Sequence, residues 1–211
     1  MARTKLRTPQ LRDRVLQIAI EALAKGGVSG LTTRGVAHHA ETSVPAVYEL
    51  FGDKAGLVRE IFSEGFRRLR RQFDVIVETD DPRADLERVI DTYRSFVRDN
   101  PILTEVMFSR PFADFDPGPD DLAAGGSVRE YVVGRVRRGV DAGALAGDPT
   151  DIAHVLVALA QGLAAQERAG WLGTSRASVD RRWTLAVGAV LDGFRGQPIV
   201  QNSVDERPDT R

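Results

Sequence analysis

Three hydroxyl residues, Thr32, Thr33 and Ser43, stand where short helices should begin, and one long cation, Arg34, sits beside the first two. Hydroxyl caps and unpaired N–H groups at a helix start favour an anion, so these positions can donate to phosphate oxygens. Arg34 is the one long cation in this stretch able to take a bidentate guanine contact, worth about 1–3 kcal/mol of discrimination between bases. Other chemistries lack a residue set. With no Cys in the chain, a disulfide scaffold, a thiolate zinc site, an iron–sulfur centre and a cysteine nucleophile are all excluded. Neither a phosphate loop of the GxxxxGK(S/T) type nor GxGxxG nor GxSxG occurs. His38 and His39 are adjacent, so on a helix they point about 100° apart and cannot easily chelate together. His154 has only Asp151 at ligand spacing, and that residue reads better as an acid in the first turn of a helix. Asp114, Asp116, Asp120 and Asp121 are interrupted by Pro117 and Pro119 and lack the closing Glu of a calcium loop. We therefore expect no enzymatic activity, no cofactor and no metal.

The formal charge of −1 is unevenly spread. Residues 1–71 hold 13 Lys+Arg against 7 Asp+Glu, whereas residues 72–211 hold 16 against 23. One end can approach a polyanion while the remainder is repelled from it. A chain of 211 residues, 42% hydrophobic and 28% charged, fits a globular protein of one large or two small domains. No apolar run reaches the roughly 18 residues of a membrane span, and the basic start lacks the apolar stretch of a signal peptide. The expectation is a cytoplasmic protein with no membrane partner.

Strand signals are nearly absent, while apolar residues recur at three and four along most of the chain, which predicts an all-α protein of about nine helices. The first helix runs over 9–25, burying Leu11, Val15, Ile18, Ala19, Ala22 and Leu23, and stops at Gly26 and Gly27. A second, capped by Thr32 or Thr33, ends near Ala40. Ser43 caps a third over 44–50, with Pro45 in the first turn where a missing N–H matters little. Asp53 caps a long fourth helix carrying Leu57, Ile61, Phe62, Leu69 and Phe73. Further helices are predicted around 86–97, from Pro101 to Ser109, over 127–142, 150–172 and 178–195, with 111–126 irregular and a polar tail, 197–211, disordered.

Only Glu41, Thr42 and Ser43 separate the second and third helices, a spacing that matches a helix-turn-helix, whose second helix lies in the DNA major groove. Ala37 and Ala40 allow the two to cross closely over Val36, Val47, Phe51 and Leu57. The stretch GLTTRGVAHHAETSVPAVYELFGDKAGLV, residues 30–58, resembles the N-terminal signature of the tetracycline-repressor-like (TetR) transcriptional regulators. Thr32, Val36, Ala37, Ala40, Ser43, Tyr48, Phe51, Lys54 and Leu57 hold the matching places. Three positions depart from it: Glu41 replaces the usual turn Gly, Thr42 the usual Val, and Leu50 the usual His. Glu41 is the most awkward, since a left-handed residue with a side chain costs about 1 kcal/mol.

The resemblance implies that Tyr48 and Lys54 clamp phosphates, that Thr32 and Thr33 anchor the second helix to the backbone, and that Arg34, Thr42, Val44, Pro45 and Ala46 are candidates for base-edge contact. It implies a DNA-binding domain over 1–52 and a ligand-binding and dimerisation domain over 53–196. Family members generally bind a small molecule in the second domain, and the bound state moves paired reading heads out of register. Tyr93, Phe96, Met107, Phe108, Phe112, Phe115, Tyr131, Gln161 and Trp171 are the kind of aromatic, soft or polar residues that line pockets. The helix carrying Ile152, Val155, Leu159 and Leu163 is apolar around much of its circumference. With the next one, carrying Trp183, Val187, Val190 and Leu191, it should form a four-helix seam with a second copy. The expected partners are thus double-stranded operator DNA, a second copy and a small-molecule effector. The competing readings are an α-helical small-molecule-binding protein or enzyme without DNA binding, and a DNA-binding adaptor with a filled core.

Overall fold

The hydroxyl and carboxylate caps read from the sequence each start a helix. In the structure, a computed structural model that describes residues 8–108 and 115–195, the helices are α1 (Pro9–Gly30), α2 (Thr33–His39), α3 (Val44–Phe51), α4 (Lys54–Asp74), α5 (Pro82–Asp99), α6 (Pro101–Phe108), α7 (Pro119–Asp141), α8 (Pro149–Arg168) and α9 (Arg176–Gly193). Among the described residues there is no strand. Thr32 accepts from the Gly35 N–H, Ser43 from Ala46 and Asp53 from Gly56, each satisfying a donor that the helix leaves open. Gly27 breaks α1 as its left-handed φ of 61° requires, and a last turn then continues to Gly30.

Several boundaries differ from the pattern read in the sequence: α5 begins at Pro82 rather than near 86, and α8 ends at Arg168 rather than near 172. The helix expected to begin at Ser127 begins at Pro119, so residues 119–126 are helical rather than irregular. Pro119 suits a first-turn position, and Asp120 and Asp121 complement the positive end of the helix. Asp121 also accepts from the Gly118 N–H at 2.9 Å. Ser63 on α4 donates to Asp121, a tertiary contact that this start of α7 makes despite the poor helix propensity of the Gly125-Gly126 pair. At the other end of the chain, Ser175 and Ser178 form a reciprocal capping box that starts α9 two residues early. Ser109 and the segment 197–211 lie outside the described residues.

The chain divides into two compact units, Met1–Val77 with Arg88–Tyr131 and Glu78–Glu87 with Val132–Arg211. In the first, α1 packs on α2, α4 and α6, and α4 packs on α3 and α6. Gly65 makes the α4–α6 crossing possible: a Cβ there would lie 2.6 Å from Met107 Cγ and Sδ. The core under the short helices is Val15, Ala19, Leu23, Val36, Ala37, Ala40, Val47 and Leu57, all buried. In the second unit α8 packs on α9, and the buried Asp85 carboxylate is held by the half-buried Arg138 and the exposed Thr79. No helix among the described residues is long and apolar enough to cross a membrane.

Candidate nucleic-acid interface

α2 and α3 bury one side each and leave the other open. Val36, Ala37, Ala40 and Val47 face the core, while Thr32, Arg34, Ser43, Pro45 and Tyr48 are exposed and Thr33, Thr42, Val44, Ala46 and Lys54 are half-buried. Tyr48 leaves 47% of its surface to solvent. The exposed polar and small residues of this face therefore come from the N-terminal ends of both helices and the turn between them.

The turn has the strain its sequence foretold. Glu41 is the single non-glycine residue with positive φ among the described residues, at 52°. Its carboxylate lies 4.0 Å from Arg14 on α1. Glu41→Gly removes a left-handed penalty of about 1–2 kcal/mol and adds a glycine entropy cost of about 0.5–1 kcal/mol. The expected result is a net gain of up to about 1 kcal/mol in urea unfolding, together with tighter DNA binding from the lost negative charge.

Behind the two short helices α1 and α4 are joined by ion pairs. Glu60 accepts from Arg12 and Arg67, while Glu64 accepts from Arg67, Arg68 and Arg71. Arg68 also donates to Gln17 on α1 at 2.9 Å, and Ser63, almost fully buried, donates to Asp121 at the start of α7. Arg67, Arg68 and Arg71 of α4 thus serve internal pairs, as does Arg70, which is held by Asp74 and lies over the Tyr131 ring. Partial burial pushes the Glu60 and Glu64 carboxyls up, but the arginine hydrogen bonds and charges outweigh it and hold both below 4.5. A carboxylate whose folded pKa lies below its unfolded value contributes stability that is full above the unfolded pKa and is lost as the pH falls through the folded one. Melting temperature should therefore drop on acidification below about pH 4.5, and the Glu60→Gln/Glu64→Gln double variant should show a shallower drop, measured by circular dichroism.

Of the residues expected to line a pocket, Tyr93, Phe96 and Met107 are buried, Tyr131 is half-buried and Phe108 is 41% exposed, all in the first unit. Phe62, Phe66, Phe108 and Tyr93 form a chain of edge-on ring contacts, and Phe115 adds a tilted contact to Phe62. Burial pushes the Tyr93 phenol up to about 12. Tyr131 stacks on Phe73 and donates to its carbonyl at 2.7 Å. Phe112 lies outside the described residues. Gln161 and Trp171 belong to the second unit, where Gln161 is half-buried and Trp171 is 78% exposed beyond the left-handed Gly170 that ends α8. Trp171 is thus not enclosed by its own chain. Of the residues expected at a seam between copies, Ile152, Trp183, Val187 and Leu191 are buried within their own chain. Leu159, Leu163 and Val190 are half-buried and Val155 is exposed. Trp183 is fixed there by donating to Glu167 at 2.7 Å.

The sequence of the α1–α4 region matches the family described as bacterial regulatory proteins, tetR family, over residues 15–61, and residues 86–190 match the tetracyclin repressor-like C-terminal domain. The chain belongs to the TetR family. This regulator is therefore a DNA-binding transcriptional regulator, and its family is one of non-enzymatic proteins. A protein of unknown function from Rhodococcus sp. RHA1 shares 28% identity over 91% of this chain and 99% of its own, with a TM-score of 0.79. The TetR family transcriptional regulator PfmR from Thermus thermophilus shares 20% over 87% and 100%, with a TM-score of 0.65. A TetR variant from Acinetobacter baumannii AYE, solved in complex with minocycline, shares 16% over 85% and 93%, with a TM-score of 0.59. No curated protein matches the chain.

Two residues of the interface escaped the sequence reading. Gly56, in the first turn of α4, would place a Cβ 1.9 Å from the Phe51 carbonyl oxygen, so only glycine permits the tight corner between α3 and α4. Arg12 was visible only as a polar-face cation; its partners are 39 and 48 residues away in sequence.

Proposed function

We propose that this regulator is a repressor that binds a palindromic operator as a homodimer and is released by a small hydrophobic ligand. The observation that carries the reading is the outward face of α2 and α3, where Arg34, Ser43, Pro45 and Tyr48 are exposed and Thr33 is half-buried, opposite the buried Val36, Ala37, Val47 and Phe51. In this reading residues 1–52 form the DNA-binding domain and 53–196 the effector and dimerisation domain, in the cytoplasm. Tyr48 and Lys54 grip phosphates, with Thr32 and Thr33 anchoring α2. Arg34 is the main polar reader, while Thr42, Val44, Pro45 and Ala46 meet base edges and thymine methyls.

The second copy docks on α8 and α9 through the apolar residues their own chain leaves uncovered, Val155, Leu159, Leu163 and Val190, while Ile152, Trp183, Val187 and Leu191 support them from beneath. The effector is held by the aromatic set around Tyr93, Phe96, Met107 and Phe108, with Tyr131 beside it. Support comes from the ring contacts and from a phenol that stays neutral at physiological pH. Such a ligand acts only through unequal affinity for the two states of the head.

Selection of duplexes from random-sequence DNA by the full chain tests the DNA reading, and a two-fold symmetric consensus is the expected outcome. Affinity for the selected duplex should fall steeply with salt, and Lys54→Ala should lower the slope of log affinity against log salt by about 0.9 per chain. No enrichment, or a consensus without symmetry, would overturn the reading. A reporter behind the selected sequence then settles the sign of regulation.

A further inference from the structure

The side chain of Arg12 touches two elements at once from a third. Its guanidinium forks onto the Glu60 carboxylate, with Nη1 3.0 Å from Oε1 and Nη2 2.6 Å from Oε2. Its central carbon also lies 5.3 Å from the centre of the Phe51 ring. Phe51 is the last residue of α3, and Glu60 stands two turns into α4, where Arg67 pins it from the other side. One residue of α1 therefore closes a triangle with the end of the candidate reading helix and with the long helix behind it. Only a guanidinium can do this, because it offers a donor edge to a carboxylate and a flat cationic face to a ring in the same pose. Glu60 keeps 18% of its side chain accessible, so the fork is more than a loose surface pair.

We propose that Arg12 is a positioning residue for DNA reading: it sets the tilt of α3 against α4 and acts on the bases through α3 rather than by contact. The proposal rests on the reading that α3 enters the major groove. The Gly52-Asp53 corner gives α3 and α4 a short, tight connection, and the Arg12 bridge adds a non-covalent restraint at that same end of α3, against the Phe51 ring and the Glu60 carboxylate. A small rotation of α3 would displace the first-turn residues Val44, Pro45 and Ala46 relative to base edges while leaving phosphate attraction largely intact.

The test uses the full chain, a duplex selected from random-sequence DNA by that chain, and a shuffled duplex of equal length, at a temperature well below the melting midpoint of every variant. Arg12→Gln should weaken binding to the selected duplex about tenfold, the equivalent of about 1.4 kcal/mol. It should leave the shuffled duplex within about twofold and the salt slope unchanged. Arg12→Lys, which keeps the charge but loses the fork and the flat face, should retain most of that loss. An equal loss on both duplexes with a salt slope lowered by about 0.9 per chain would make Arg12 a direct phosphate contact and overturn the proposal. Full activity of either variant would overturn it as well. Tyr48→Phe and Lys54→Ala are run beside them. If these weaken binding while the Arg12 variants do not, only the positioning role falls. If they also have no effect on either duplex, the reading of α3 falls and the proposal with it.

Discussion

Asp85→Ala should lower the stability of this regulator by about 2–3 kcal/mol, seen as a drop in the urea midpoint with an unchanged slope. Asp85 is 1% exposed, and its carboxylate accepts from the Thr79 N–H at 3.0 Å, from the Thr79 hydroxyl at 2.8 Å and from Arg138. Arg138 in turn donates to the Thr79 carbonyl and lies 3.7 Å from Glu78. Deleting the carboxylate leaves the Thr79 N–H without its acceptor and takes one partner from Arg138, whose guanidinium is about one-third exposed and keeps the Thr79 carbonyl and Glu78. Asp85→Asn keeps an acceptor but no charge and should fall between. Asp85→Ala combined with Arg138→Met should recover part of the loss, because the cation that lost a partner is then gone. A fall below about 1 kcal/mol for Asp85→Ala would mean that water replaces the carboxylate at this site.

Gly56→Ala carries the second large effect, and its sign separates two physical accounts. Helix propensity alone favours Ala over Gly by about 1 kcal/mol, which would make the variant more stable. The geometry says the opposite. A Cβ 1.9 Å from the Phe51 oxygen and 3.1 Å from its carbonyl carbon meets backbone, which cannot swing aside, so α3 and α4 must part. A loss of about 3 kcal/mol, at the upper end of overpacking, is expected, with DNA affinity falling in the fraction that remains folded. Gly65→Ala is the instructive contrast. Its closest obstacles, Met107 Cγ and Sδ at 2.6 Å, belong to a flexible thioether that can turn away, so about 1 kcal/mol is expected there.

What the amino-acid sequence discloses of this fold is local. Thr32, Ser43 and Asp53 announce helix starts because a short oxygen-bearing side chain before an apolar period has one economical use. Glu41 announces a strained turn through the resemblance, which has glycine at that place, and its φ of 52° bears this out. The helical start of α7 is hidden, since Pro117, Gly118 and Pro119 read as loop and Ser63, which donates to Asp121, lies 58 residues away along the chain. Asp85 carries no signal of its own in the sequence, and nothing near it foretells Arg138. Arg12 and Gly56 are silent for the same reason: what gives them meaning is a partner brought close only by the packing of α1, α3 and α4. The ten positions offered for DNA contact were drawn from local pattern and resemblance; five of them are exposed and five half-buried. The pocket residues were drawn from residue type alone and divide between two units.

The unbroken length of α4 has a mechanical consequence. Its 21 residues make a rod of about 31 Å, cross-braced to α1 at Glu60 and Arg68 and free of proline throughout. Pivoting such a rod by about 10° at one end sweeps the other through about 5 Å, more than the 3.4 Å that separates successive bases along a strand. An angular change too slight to disturb any core is thus enough to move a reading helix by a whole nucleotide step.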